Sequence, residues 1–107
     1  GELKHGTLAL ITKETPVIAI ALQKSTYDKA MSNIEEVVAR EARGILFVEE
    51  GRAVHIKAPT IYIPQADDMI LPILSAIPLQ ILAYYTAKAR KCEIDQPRNL
   101  AKSVTVE

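Results

Sequence analysis

Six consecutive apolar residues, Val17-Ile18-Ala19-Ile20-Ala21-Leu22, stand between Thr15-Pro16 and a polar stretch that begins at Gln23. A short unbroken run rich in β-branched residues predicts a strand buried on both faces, the pattern of a parallel sheet. Ile45-Leu46-Phe47-Val48 repeats the signal, and Thr60-Ile61-Tyr62-Ile63 predicts a shorter third strand, which Pro64 places near an edge. Between the first two strands the apolar positions change period. Met31, Ile34, Val37 and Val38 recur at helical spacing, with Ser25 as expected N-cap, Asp28 in the first turn and Arg43-Gly44 as the stop.

The flanks read as helix too. Glu2 to Ile11 predicts a short helix with Leu3, Leu8 and Ile11 on one face and Gly6 as its weak point. From Ile70 to Glu93 the pattern is helical, but Pro72 and Pro78 divide it into a short turn and a longer helix starting near Pro78, with Leu79, Leu82, Ala83 and Thr86 as its stripe. The order strand, helix, strand, loop, strand, helix predicts an α/β fold, a three-layer αβα sandwich around a mainly parallel sheet with right-handed crossovers. Glu49-Glu50-Gly51-Arg52 offers an alternative, a hairpin to Ala53-Val54-His55-Ile56 that would make the sheet mixed.

Composition narrows the class. A chain of 107 residues is one domain's worth, long enough for a core. Thirteen basic and thirteen acidic residues cancel, which leaves no electrostatic footprint for nucleic acid or an anionic membrane. No apolar run approaches the roughly 18 residues of a membrane span, and no secretory leader pattern opens the chain. A cytoplasmic protein is expected. The single Cys92 has no partner for a disulfide or a thiolate metal site.

Candidate chemistry concentrates in the last twelve residues, Gln96-Pro97-Arg98-Asn99-Leu100-Ala101-Lys102-Ser103-Val104-Thr105-Val106-Glu107. Lys102 has apolar neighbours that would desolvate its amine, which disfavours the ammonium and frees a nucleophile. The ordinary alternative is a solvated lysine on a terminal arm.

Together with the opening Gly1-Glu2-Leu3-Lys4-His5-Gly6-Thr7-Leu8-Ala9-Leu10-Ile11, this tail resembles the isomerase part of the glutamine:fructose-6-phosphate amidotransferase (isomerising) family, the glucosamine-6-phosphate synthases. Ser32-Asn33-Ile34-Glu35-Glu36-Val37 and Pro78-Leu79-Gln80-Ile81-Leu82-Ala83-Tyr84 also match, in order, so the resemblance covers essentially the whole chain. It implies a sugar isomerase (SIS) type fold, flavodoxin-like. Residues 1–93 would be the later part of the second isomerase subdomain and residues 94–107 the C-terminal tail, with Glu107 ending the polypeptide.

The resemblance also implies roles. Lys102 matches the lysine that forms a Schiff base with the open-chain keto sugar, and an amine does this reversibly. His5 matches a histidine associated with opening the cyclic sugar, a role for a group that takes and gives a proton near neutral pH, and one that the family supplies from the neighbouring subunit. Ala101 matches a backbone contact to the sugar, so Ala101 and Lys102 are the expected substrate-binding pair. Leu100 and Val104 match apolar positions along an ammonia passage, with ordinary tail packing as the alternative. Arg98 and Asn99 anchor the tail. The implied partners are fructose 6-phosphate and glucosamine 6-phosphate, a glutaminase domain and a first isomerase subdomain of the same polypeptide, and a second copy in a dimer. No metal or organic cofactor is implied.

Several family parts have no match here. The Ser/Thr-rich phosphate loop, the glutaminase domain with its N-terminal cysteine and the general-base glutamate upstream of the opening motif are missing, and neither Cys92 nor Glu2 replaces them. His55 matches nothing. Thr7 stands where the family has proline, and the connection from Glu49 to Thr60 is shorter than usual. A sugar-phosphate-sensing regulatory module and a subdomain serving only dimerisation are the alternative functions, and by themselves the 107 residues are expected to be inactive.

Overall fold

In a computed structural model, which describes residues 2–96, three strands form one parallel sheet: β1 (Pro16–Ala21), β2 (Arg43–Glu49) and β3 (Thr60–Ile63). Their order is β1-β2-β3, so β2 is central and β3 lies at an edge as expected. Ile20 pairs with Phe47 and Phe47 with Ile61. The alternative hairpin does not form. Gly51 turns the chain at a φ of 85°, a conformation that favours glycine, and β3 pairs parallel to β2. That turn is held by hydrogen bonds from Glu50 N to the Ile63 carbonyl at 2.8 Å and from Gln65 Nε2 to the Glu50 carbonyl at 2.9 Å.

Helix α1 (Tyr27–Val38) connects β1 to β2 and covers one sheet face. Its Ile34 packs with Ala21, Leu46 and Val48 in a buried cluster, to which Ala19, Tyr27, Ala30 and Met31 add partly buried surface. The periodic residues thus point inward, but the boundaries differ from expectation. Thr26, not Ser25, is the N-cap, and its side chain makes no capping bond. The stop is Glu41, which takes the left-handed conformation at φ 63° expected of a glycine, so Arg43 and Gly44 are free to enter β2.

Burial on both faces holds for the central strand and fails for its neighbour. Leu46, Phe47 and Val48 have no exposed surface, whereas alternate residues of β1 are open, Ile18 to 43% and Ile20 to 48%. The run in β1 is apolar on two sides but covered on one.

Two helical expectations are corrected. Residues 2–11 do not form one helix: Gly6, at φ 144°, splits them into 3₁₀ turns over Glu2–His5 and Thr7–Leu10. Helix α2 (Leu71–Ala89) is continuous, with Pro78 inside it rather than starting it. Pro72 sits in the first turn, where a missing N–H costs nothing, and Pro78 removes one interior donor from a helix that nevertheless runs on through all 19 residues. Of the expected stripe, Leu79 and Leu82 are half-buried while Ala83 and Thr86 are exposed.

The chain divides into two compact units, Gly1–Ser75 and Ala76–Glu107. The first holds the sheet, α1 and the buried cluster. In the second, Lys91 ends the helix at φ 57° while Cys92 N donates to the Ala87 carbonyl at 2.9 Å, and the rings of Tyr84 and Tyr85 meet edge to face at 5.2 Å.

Candidate functional site

His5 is the predicted catalytic residue that the described structure positions. A 3₁₀ turn has three residues per revolution, so Glu2 and His5 eclipse one another while Leu3 and Lys4 occupy the other two rows. Those two rows face the body of the first unit. Leu3 is half-buried and borders a cleft with Val17, Ala19, Ala30 and Ile34, which come from β1 and α1. Lys4 Nζ lies 2.6 Å from Glu36 Oε1 on α1. His5 takes the remaining row and is exposed. Thr7 Oγ1 donates to the Leu3 carbonyl at 3.1 Å across the Gly6 turn, which ties the two 3₁₀ segments together. The imidazole is therefore exposed on the side of the turn away from Leu3 and Lys4.

Lys102, Ala101, Leu100 and Val104 lie outside the described residues, as do Arg98 and Asn99. His55 sits in coil, exposed, and Cys92 is an exposed free thiol. Among the described residues no three His, Cys, Asp or Glu side chains gather in a way that could hold a metal ion.

Two features at the C-terminal ends of the strands escaped the sequence. Beyond β1, a half-open cleft of about 240 Å³ is lined by Ile20, Leu22, Gln23, Thr26, Asp68 and Leu71, among others. Its location was in principle readable, since parallel sheets open clefts where strands end and helices begin. At the end of β2, the buried Glu49 accepts a hydrogen bond from Arg52 Nε at 3.2 Å. Arg52 Nη2 approaches the same oxygen at 3.1 Å but makes no aligned hydrogen bond, so Nε carries the contact. The guanidinium also lies 4.6 Å over the Tyr27 ring, whose hydroxyl donates to the Ala53 carbonyl at 3.0 Å. This set closes the turn after β2 and pins it to α1. A buried carboxylate needs such a partner, and Arg52 supplies it.

Comparison with known proteins adds the context. A family model described as SIS domain matches residues 1–90. Over its whole length the chain is 50% identical to an isomerizing glutamine–fructose-6-phosphate aminotransferase of Clostridium acetobutylicum and 52% identical to one of Methanosarcina acetivorans. It spans 18% of the length of each of these curated relatives. A solved C-terminal domain of glucosamine-fructose-6-phosphate aminotransferase from Francisella tularensis superposes with a TM-score of 0.83 at 36% identity, covering 90% of this chain and 28% of that one. The parallel α/β sheet described above is the SIS-type arrangement of that neighbour.

Proposed function

We propose, for a chain that belongs to the SIS domain family, that its 107 residues supply the later part of the second isomerase subdomain and the catalytic tail of an isomerizing glutamine–fructose-6-phosphate aminotransferase. The observation that carries this reading is the alignment over 100% of the chain, opening motif and tail included, with relatives of that name. The whole polypeptide would convert fructose 6-phosphate and glutamine-derived ammonia to glucosamine 6-phosphate in the cytoplasm. Lys102 condenses with the keto carbon of the open-chain sugar, forming an imine and releasing water. Ala101 contacts the sugar through its backbone, and Leu100 and Val104 line a dry path for ammonia.

His5 opens the cyclic sugar. Its outward presentation from a turn anchored by Leu3 and Lys4 supports action on a sugar held by a second subunit, and so supports a dimer. The phosphate loop, the general base and the ammonia source would come from the rest of the polypeptide, so the 107 residues alone make no aminosugar. A purely associative role gains support from one observation, the exposed Ile18, Ile20 and Ile61 on one sheet face.

The test separates two chemistries. In the full-length polypeptide, His5→Ala is expected to slow conversion of fructose 6-phosphate far more than glutamine hydrolysis, because the two reactions occupy different sites. Unchanged sugar conversion would remove His5 from this role, and equal loss of both would show general damage.

A further inference from the structure

The segment that bears His5 is held to the fold by very little. Neither 3₁₀ turn contains a buried residue, and the bonds within the segment, such as that from Thr7 Oγ1 to the Leu3 carbonyl, fix its internal shape and not its place. Around His5 its place depends on Leu3 in the cleft between α1 and β1 and on the pair between Lys4 and Glu36, with the half-buried Leu8 and Ile11 holding the segment further along. Glu36 is well suited to define a position. It stands on α1 between the inward residues Ile34 and Val37, both buried, so its backbone moves only if the core moves. Arg40 Nη1 bonds the Glu36 carbonyl at 2.7 Å, which leaves the Glu36 carboxylate to Lys4.

We infer that Glu36, acting through Lys4, is a positioning residue for His5: it transfers the frame of α1 to the turn that presents the imidazole. The inference rests on the reading of His5 given above and adds a residue to it. Glu36 does not touch the sugar. Leu3 sets the depth of the turn in its cleft, and the ion pair sets its rotation, since in a 3₁₀ turn a rotation that releases Lys4 carries the next residue with it. The side chains of Lys4 and Glu36 are 58% and 31% exposed, so the pair is weak and salt-sensitive, a latch and not a weld.

The full-length polypeptide provides the test, with Glu36→Gln, Lys4→Glu, the exchanged pair Lys4→Glu/Glu36→Lys, and Glu35→Gln as control. Glu35 borders a different cleft, beside Tyr27 and His55. Each single change at Glu36 or Lys4 is expected to lower kcat for sugar conversion about two- to fivefold, the size of a partly exposed ion pair, with glutamine hydrolysis unaltered. The exchanged pair should recover most of that loss and Glu35→Gln should lose nothing, whereas a pair that served stability alone would lower the unfolding midpoint of the singles and leave their kcat per folded enzyme unchanged. Raising the salt should shrink the gap between wild type and Glu36→Gln. Amide exchange over residues 2–10 should quicken by the same factor in Glu36→Gln, a readout independent of activity. If His5→Ala is inactive while the single variants match wild type, or if the exchanged pair fails to recover, the inference is wrong and the reading of His5 stands. If His5→Ala is fully active, it is that reading which falls.

Discussion

Ile20 and Phe47 are register partners on adjacent parallel strands, yet Phe47 is fully buried and Ile20 is 48% exposed. The difference follows from position. Phe47 lies on the central strand between Ile20 and Ile61, while Ile20 lies on a strand that has no paired strand on its outer side among the described residues. Residues paired in a parallel ladder point to the same face, so Ile18 and Ile20 leave an apolar strip along the unpaired edge of β1, and Ile61 lies on the same face across the buried Phe47.

The 107 residues on their own are therefore expected to self-associate. Covering three half-exposed isoleucines recovers roughly 1 kcal/mol for each, and the neutral edge of β1 carries no charge to oppose pairing. Sedimentation over a concentration series should show a rising average mass, and Ile18→Glu/Ile20→Lys should suppress it. A monomer at every concentration would contradict the claim.

Leu46 is the anchor of the buried cluster. Its side chain is inaccessible and packs with Ala21, Ile34 and Val48. Leu46→Ala should cost about 2–5 kcal/mol, read as a lower urea midpoint with the slope unchanged. A loss below about 1 kcal/mol would mean that the sheet and α1 are not packed as described.

Pro78 tests the second unit. A proline inside a helix is about 3 kcal/mol less favourable than alanine, and Pro78 cannot donate to the carbonyl four residues before it. Pro78→Ala should slow amide exchange through the middle of α2. Faster exchange would show that the ring contributes packing worth more than the missing bond.

The elements best read from the sequence were those whose local pattern already contained the answer. Leu46-Phe47-Val48 reads as doubly buried and is, because a central strand has neighbours whatever the rest of the chain does. The identical reading of β1 failed because run length reports the hydrophobicity of a strand and not whether its second face is covered. Helix ends were missed where an unusual residue did the usual job, as Glu41 does in the left-handed stop. Pro78 was overvalued as a boundary, since the rest of a long helix tolerates one lost bond. His5 was legible through its motif alone; the Lys4 to Glu36 contact that places it joins residues distant in sequence, and no periodicity announces it. The tail chemistry rests on motif and alignment, since residues 97–107 lie outside the described part.

The central claim is that Lys102 attacks the keto carbon of fructose 6-phosphate, and covalent trapping tests it most directly. The full-length polypeptide is incubated with fructose 6-phosphate and no ammonia source, then reduced with borohydride, which converts an imine to a stable secondary amine. Peptide mass analysis should find the reduced hexose phosphate on Lys102, and Lys102→Arg, which stays protonated and forms no imine, should show neither adduct nor aminosugar synthesis. An unmodified Lys102 in a preparation that makes glucosamine 6-phosphate once glutamine is supplied, or a Lys102→Arg variant that still makes it, would contradict the account.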